Sequence, residues 1–350
     1  MSDPKWIEDL FNLDLAELQQ KYLKPKDERS LKALRNYHKN KGTAVQEASP
    51  EQFITQARPT VIRATTRRQP NRKDEVTLAM GDAQIGYRGD EPFHDERAMD
   101  FAQLAIREMQ PNRIVFTGDM IDLPAMSRFE QRGDWANTTQ RAIDRYHDFL
   151  AQTRANAPNA EIVVVHGNHE QRMDSFVRRD AAALLGIRRA NAERELSVLT
   201  LQYLVRYDDL GIQSVDGYPN AAYWLEDNLK VMHGTNVAKS GSNAAKYLRE
   251  ESESVIYGHT HRLEVAYRTL ATRLGGKVLV AASPGCLART DGAVPGFNYS
   301  VDSQGRTVPK AEDWQQGLLV VEHNARVHNI TPVRITEEGM NIYGKHYDAN

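Results

Sequence analysis

The sequence predicts an α/β fold, and three observations carry that prediction. Short, nearly continuous apolar runs recur at Val76–Met80, Arg113–Thr117 and Glu161–Val165. Stretches with helical patterning separate them, at Glu96–Met109 and Thr138–Arg154. Each apolar run leads straight into a polar motif: Gly81-Asp82, Gly118-Asp119, and His166-Gly167-Asn168-His169-Glu170. Apolar runs without alternation are strands buried on both faces. Alternating with helices, they build a layered α/β core. Sheets of this kind place their ligands just past the C-terminal ends of the strands.

The remaining elements follow in chain order. Residues 1–57 form a charged, helical N-terminal region. Asp3 and Pro4 start one helix, with Trp6, Ile7, Leu10, Leu13 and Leu18 at roughly helical spacing. A second runs from Asp27 to Lys39 and is closed by Gly42. The pair suits either a nucleic-acid-binding helix-turn-helix or a packing arm. Residues 58–75 form a basic linker; from Arg58 to Lys73 it has no acidic residue, and it holds Pro59 and Pro70. A solvated connector and a phosphate-backbone contact both fit it. The main domain spans residues 76–335, with a mostly helical insertion at 174–207 that serves as cap or side wall. Strands are expected at Tyr223–Glu226, Leu229–Met232, Val255–Tyr257, Glu264–Leu270, Lys277–Ala282, Leu318–Glu322 and Val327–Thr331, and a helix at Ser242–Glu250. A long loop covers 289–315, a length often tied to function. Residues 336–350 read as a C-terminal tail.

Composition bounds the class. Hydrophobic residues are 40%, charged residues 26% and the formal net charge −2, as in ordinary globular chains. The single cysteine, Cys286, excludes an internal disulfide and a cysteine-rich zinc site. No apolar run approaches the ~20 residues that span a bilayer, and Met1–Leu10 holds no apolar signal stretch. The expectation is a cytoplasmic protein with no membrane partner.

Five polar clusters punctuate the core: Asp82 with Gln84, Asp119 with Asp122, Asn168 with His169, His233, and His259 with His261. Any one alone is an ordinary loop cap. A core has no need of all five at strand ends. Carboxylates, imidazoles and an amide oxygen together suit a borderline dication such as Mn²⁺, Zn²⁺ or Fe²⁺. A carboxylate can bridge two such ions ~3.5–4 Å apart, and the pair clamps both oxygens of an in-line displacement.

The ordered set Asp82, Asp119, Asn168-His169, His233, His259 and His261 resembles the calcineurin-like metallophosphoesterase superfamily, over roughly Val76–Ile330. The resemblance implies a four-layer α/β/β/α sandwich and two divalent ions. Mn²⁺ is expected first, with Mg²⁺, Zn²⁺ and Fe²⁺ open. It implies that Asp82 and His261 hold one metal, that Asp119 bridges, and that Asn168, His233 and His259 hold the other. His169 then corresponds to the histidine that meets substrate and protonates the leaving group, and Asp122 to the aspartate that orients it. One position departs from the pattern: the family's first motif is usually Asp-x-His, and here it is Asp82-Ala83-Gln84. A glutamine oxygen ligates a borderline ion more weakly than imidazole. A harder metal, a weak first site, one tight metal, altered activity and lost activity all stay open.

Candidate substrate contacts follow the motifs: Tyr87, Arg88, Arg128, Arg132, Glu170, Gln171, Arg172, Lys239, Ser240 and Asn243. The stretches His233–Lys246, Ser283–Leu287 and Trp314–Gly317 resemble phage and prophage members of the superfamily, which are related to double-strand-break repair nucleases. A bacterial or phage-infected host cell is the setting this implies. The expected activity is therefore a phosphodiesterase or nuclease acting on a phosphate ester of DNA or RNA. The alternatives are a small-nucleotide phosphatase or phosphodiesterase, and a non-catalytic scaffold with a degraded site. The protein-phosphatase branch fits less well, because Leu123 stands where that branch has arginine after the aspartate. A basic groove beside the metals favours a nuclease; a small pocket under 174–207 favours a nucleotide.

Overall fold

Strands that are apolar on both faces need cover on both faces, and a second sheet plus flanking helices supplies it. The computed structural model describes residues 74–348 except 128–132, 136, 192–195, 239–242, 273–274, 295–298, 302, 305–306, 310–312 and 325–326. The N-terminal helical region and nearly all of the basic linker lie outside the described residues.

The main elements, in chain order, are β1 Glu75–Met80, α1 Glu96–Met109, β2 Arg113–Phe116, α2 Thr139–Asn156, β3 Glu161–Val165, α3 Gln171–Asp180, α4 Leu201–Leu204, β4 Ile212–Val215, β5 Ala222–Glu226 and β6 Leu229–Met232. They continue with α5 Asn243–Glu250, β7 Ser254–Tyr257, β8 Leu263–Thr272, β9 Gly275–Pro284, β10 Gly317–His323, β11 His328–Arg334, β12 Gly339–Ile342 and β13 Lys345–Asp348.

Six strands form one sheet in the order β11-β10-β1-β2-β3-β4. Its β1, β2, β3 and β4 run parallel, while β10 and β11 add antiparallel. Five strands form the second sheet in the order β8-β9-β7-β6-β5. Strand alternation assigns the faces. Ala79, Val115, Val163, Val165 and Leu319 of the first sheet pack against Leu225, Val231, Ile256 and Val280 of the second. Each fully buried Val, Leu or Ile among them is worth about 1.5–3 kcal/mol relative to exposure. The outer face of the first sheet meets α1 and α2; Phe116 and Phe149 pack edge-on at 5.9 Å. On the second sheet, Ala244, Tyr247 and Leu248 of α5 cover Val255, Tyr257 and Leu279. The result is an α/β sandwich of two sheets flanked by helices.

Three expectations need correction. Among the described residues, 174–207 is not mostly helical: helix ends at Asp180, one 3₁₀ turn covers Ala182–Leu184, and a further helix covers Leu201–Leu204. Gly186 and Asn191 take left-handed backbones (φ 74° and 64°) that interrupt any helix between. Residues 336–350 are no plain tail, since β12 and β13 pair as a hairpin across Tyr343-Gly344. The 289–315 loop contains its own small hairpin, Tyr299–Val301 with Thr307–Pro309. Strand β4 is an element that the sequence reading lacked. Among the described residues no helix is long and apolar enough to cross a membrane.

Candidate metal centre

Parallel register brings the motifs to one edge. Met80 lies beside Phe116, and Phe116 beside Val164, so the chain segments after β1, β2 and β3 emerge together. In the second sheet Met232 pairs with Tyr257, which brings His233 alongside the Gly258–His261 turn. The first sheet therefore delivers Asp82, Gln84, Asp119, Asn168 and His169; the second delivers His233, His259 and His261.

The turns are tight. Asp82, Gln84, Asp119, His259 and His261 all hold left-handed backbones, with φ of 51°, 52°, 51°, 71° and 57°. Such conformations cost of order 1–3 kcal/mol each for residues with a side chain, and persist only where the surroundings over-determine them. Here a web of bonds does so. Asp82 N donates to Gly118 O (2.9 Å), Gln84 N to Asp119 O (3.0 Å) and Ile85 N to Met120 O (2.9 Å). The carboxylate of Glu170, buried at 2% exposure, accepts from Gly167 N (2.8 Å), Asp119 N (2.9 Å) and Met120 N (2.7 Å). Gly167 permits the closest approach: a Cβ there would stand 2.2 Å from Asp119 Oδ1.

The side chains then converge. His233 Nδ1 donates to Thr117 O at 2.9 Å, which leaves the lone pair on Nε2. That nitrogen faces Asp119 Oδ2 at 3.1 Å and Asn168 Oδ1 at 3.2 Å. Three acceptors pointing at one another require a positive charge between them. Asp119, His233 and His259 bring ligand atoms within 4.8 Å of one another, the geometry of a metal-binding triad. On the far side of Asp119, His261 Nε2 lies 3.2 Å from Asp82 Oδ1. Gln84 Nε2 lies 3.4 Å from His261 Nε2 and 3.5 Å from Asp119 Oδ2. Gln84 Oε1 is buried without a hydrogen-bond partner, an orphan acceptor that a cation would satisfy. The donor set fits a divalent ion.

The electrostatics agree. Burial opposes ionisation of Asp119, but the charges of His169 and His233 outweigh it and hold the carboxyl well below its usual range. Burial opposes protonation of His233, yet Asp119 overcomes it by charge and hydrogen bond and carries its pKa to about 9. For His259, burial and the neighbouring His233 charge push the pKa down to about 4. A proton on His233 thus occupies the place in the charge balance that a metal ion would take over.

Beside this cluster, His169 Nδ1 meets Asp122 Oδ1 at 3.1 Å, and its Nε2 lies 3.6 Å from Asp119 Oδ2 and 3.0 Å from Arg172 Nη2. Arg172 also pairs with Asp122. Guanidinium has only donors, so Nε2 accepts and Nδ1 carries the proton toward Asp122. Burial would raise the Asp122 pKa, but Arg172 and His169 prevail and lower it.

Every residue expected to ligate metal is therefore in one cluster, with His169 and Asp122 beside it. The substrate contacts fare differently. Glu170 is spent on backbone N–H groups. Tyr87 is buried with Arg141 stacked over its ring at 3.9 Å. Arg88 donates to Ala293 O (3.3 Å), and Asn243 Oδ1 accepts from Ala238 N (2.6 Å). Of these, Arg172 touches the His169–Asp122 pair, and Gln171 lines a neighbouring cleft. Arg128, Arg132, Lys239 and Ser240 lie outside the described residues. Two aromatic neighbours went unread: Trp314 against His261 at 4.1 Å, and Tyr218 edge-on to His233 at 5.8 Å.

Known proteins resemble this chain. The family model for calcineurin-like phosphoesterases matches residues 76–263, more than half of the chain. The Gene 54 protein of Mycobacterium phage D29 is 25% identical over 264 residues, which cover 73% of this chain and 92% of that protein. The Gene 54 protein of Mycobacterium phage L5 is 24% identical over 213 residues, 60% of this chain and 78% of that one. Among solved structures, the phosphoesterase Yfce from E. coli is 14% identical, with a TM-score of 0.31, and covers 75% of this chain and 100% of its own. Vacuolar Protein Sorting 29 from Cryptosporidium parvum is also 14% identical, with a TM-score of 0.33, and covers 79% and 98%. The family match over the span that carries the converging ligands makes the conclusion plain: this chain belongs to the calcineurin-like phosphoesterases and is a metal-dependent hydrolase of phosphate esters.

Proposed function

We propose that the protein hydrolyses phosphodiesters, with DNA or RNA as the leading substrate class, at a centre that holds two divalent ions. The observation that carries this is the position of Asp119 Oδ2. It lies 3.1 Å from His233 Nε2 and accepts from Gln84 Nε2 at 3.5 Å, so one carboxylate reaches residues of both ligand groups. Asp82, Gln84, His261 and Asp119 would hold one ion; Asp119, Asn168, His233 and His259 the other. The oxygen-rich first group suits Mn²⁺ over a softer ion. Bound there, the ions supply Lewis acidity toward the phosphoryl oxygens and lower the pKa of water.

The chain's own residues supply the rest. Asp122 holds the His169 Nδ1 proton, which leaves Nε2 as the ring atom that exchanges a proton with the leaving oxygen. Arg172 holds Asp122 and His169 through its two terminal nitrogens, and its remaining N–H groups donate to the phosphate. Its charge is partly balanced by Asp122, and Leu123 occupies the place of a further arginine. That modest positive charge suits the single negative charge of a diester better than the two of a monoester. The basic Arg58–Lys73 stretch supports a polynucleotide substrate. A second reading, a small-nucleotide phosphodiesterase, is favoured by a cleft of about 480 Å³ between α3 and the residues leading into α4.

Mn²⁺-dependent hydrolysis, measured in parallel on single- and double-stranded DNA, RNA, bis-p-nitrophenyl phosphate and p-nitrophenyl phosphate, tests both. Polynucleotide cleavage is the expected outcome; cleavage of the small diester alone selects the second reading, and cleavage of the monoester alone overturns both. Asp119→Asn should lose at least about 10²-fold in turnover. His169→Gln should lose about 10²–10⁴-fold in kcat while Mn²⁺ titration calorimetry stays as in the wild type.

A further inference from the structure

We propose that the cleft beside the metal centre is a nucleoside subsite, which binds the nucleoside arm of the diester; this rests on the phosphodiesterase reading above. The cleft, about 480 Å³, falls in the range of small-ligand sites. It adjoins the chemistry directly. Glu170 on its wall follows His169 in sequence and fixes the Asp119 backbone. Tyr218, also on its wall, packs edge-on to His233 at 5.8 Å. A ligand seated there stands one side chain away from the metal ligands.

The lining states what kind of group fits. Met173, Leu199 and the Tyr218 ring offer an apolar surface to a flat face. His166, only 6% exposed, has Nδ1 at 3.2 Å from Asp216 Oδ1, and its buried Nε2 lacks a hydrogen-bond partner. The half-exposed Asp216 carboxylate, held by His166 Nδ1, is the acceptor that the cleft presents to a base N–H. Glu170, Asp174 and Asp216 put three carboxylates on the cleft against one guanidinium, Arg178, which is already paired to Asp174 at 2.7 Å. A negative, acceptor-bearing cleft rejects phosphate and accepts a neutral ring with amino or imino donors. The sugar–phosphate chain must therefore pass outside it, with one base turned in.

Two measurements test this. The first compares kcat/KM for the p-nitrophenyl ester of deoxycytidine 5′-monophosphate with that for bis-p-nitrophenyl phosphate. The wild type should favour the nucleotide ester at least tenfold, and Leu199→Trp, which fills the cleft, should cut that ratio at least tenfold. A wild-type ratio near one, or a ratio unchanged in the variant, overturns the proposal. The second titrates free deoxycytidine into the Mn²⁺-loaded protein by calorimetry. Binding that Leu199→Trp and Asp216→Asn weaken supports the subsite, and no binding to the wild type overturns it. Should neither ester be hydrolysed, the phosphodiesterase reading fails while the titration still decides on the cleft.

Discussion

Glu170 makes no claim on substrate or metal, yet the centre depends on it. Its two oxygens gather three backbone N–H groups from the segments after β2 and β3, and so fix where Asp119 and Asn168 stand. Glu170→Gln replaces an acceptor-only group by one that presents an amide donor to those N–H groups. A loss of on the order of 3 kcal/mol in unfolding free energy is expected, read by urea denaturation, with a parallel loss of Mn²⁺ affinity. The converging polar side chains were legible in sequence, because Asp, Asn and His have little other reason to follow five apolar strands. Glu170 was not. An acidic residue after Gly-Asn-His reads as one more polar group near substrate, and only the three-dimensional crossing of two loops reveals its N–H partners. Trp314 and Tyr218 were missed for the same reason: each reaches its histidine from a distant part of the chain.

The elements show where periodicity informs and where it fails. Strands β1, β2 and β3 were readable because burial on both faces leaves an unbroken apolar run. Strand β4 escaped notice because Ile212–Val215 is four residues long, with Gln213 and Ser214 inside it. The hairpin of β12 and β13 turns on Tyr343-Gly344, both at positive φ (48° and 79°), without the Asn-Gly pair that usually announces such a turn. Helices α1 and α2 are tied at Glu96, whose pKa falls to about 2 through hydrogen bonds from His94 and Arg145. A depressed carboxylate stabilises the fold fully above its unfolded value of 4.5 and loses that contribution as pH falls through about 2. Glu96 is half exposed, so solvent screening keeps the effect below about 1 kcal/mol. Glu96→Gln should accordingly be less stable than the wild type at pH 6, and the two should converge near pH 2 in circular-dichroism melts.

At the scale of the molecule, the metal centre lies across both sheets. Asp82, Asp119 and Asn168 come from the first, and His233, His259 and His261 from the second. An ion held by both groups cross-links two sheets that otherwise meet through apolar packing and a few polar contacts, such as His323 with Glu226 and Tyr223 with Glu161. Ligand that binds the native state alone stabilises it by about 2.7 kcal/mol at a hundred times Kd. For a chain of this size, chelation should then lower Tm by about 4 °C. Differential scanning fluorimetry with and without EDTA checks this, and in Asp119→Asn the difference should shrink toward zero.

The left-handed backbones at Asp82, Gln84, Asp119, His259 and His261 carry a further consequence. At each of them glycine is the residue that the local conformation prefers, and glycine is the residue that cannot hold an ion. Robustness and activity therefore pull in opposite directions at the same five addresses. A library screened for heat resistance under EDTA, where no ion stabilises the fold, would drift toward glycine there, and its sturdiest survivors would be inert.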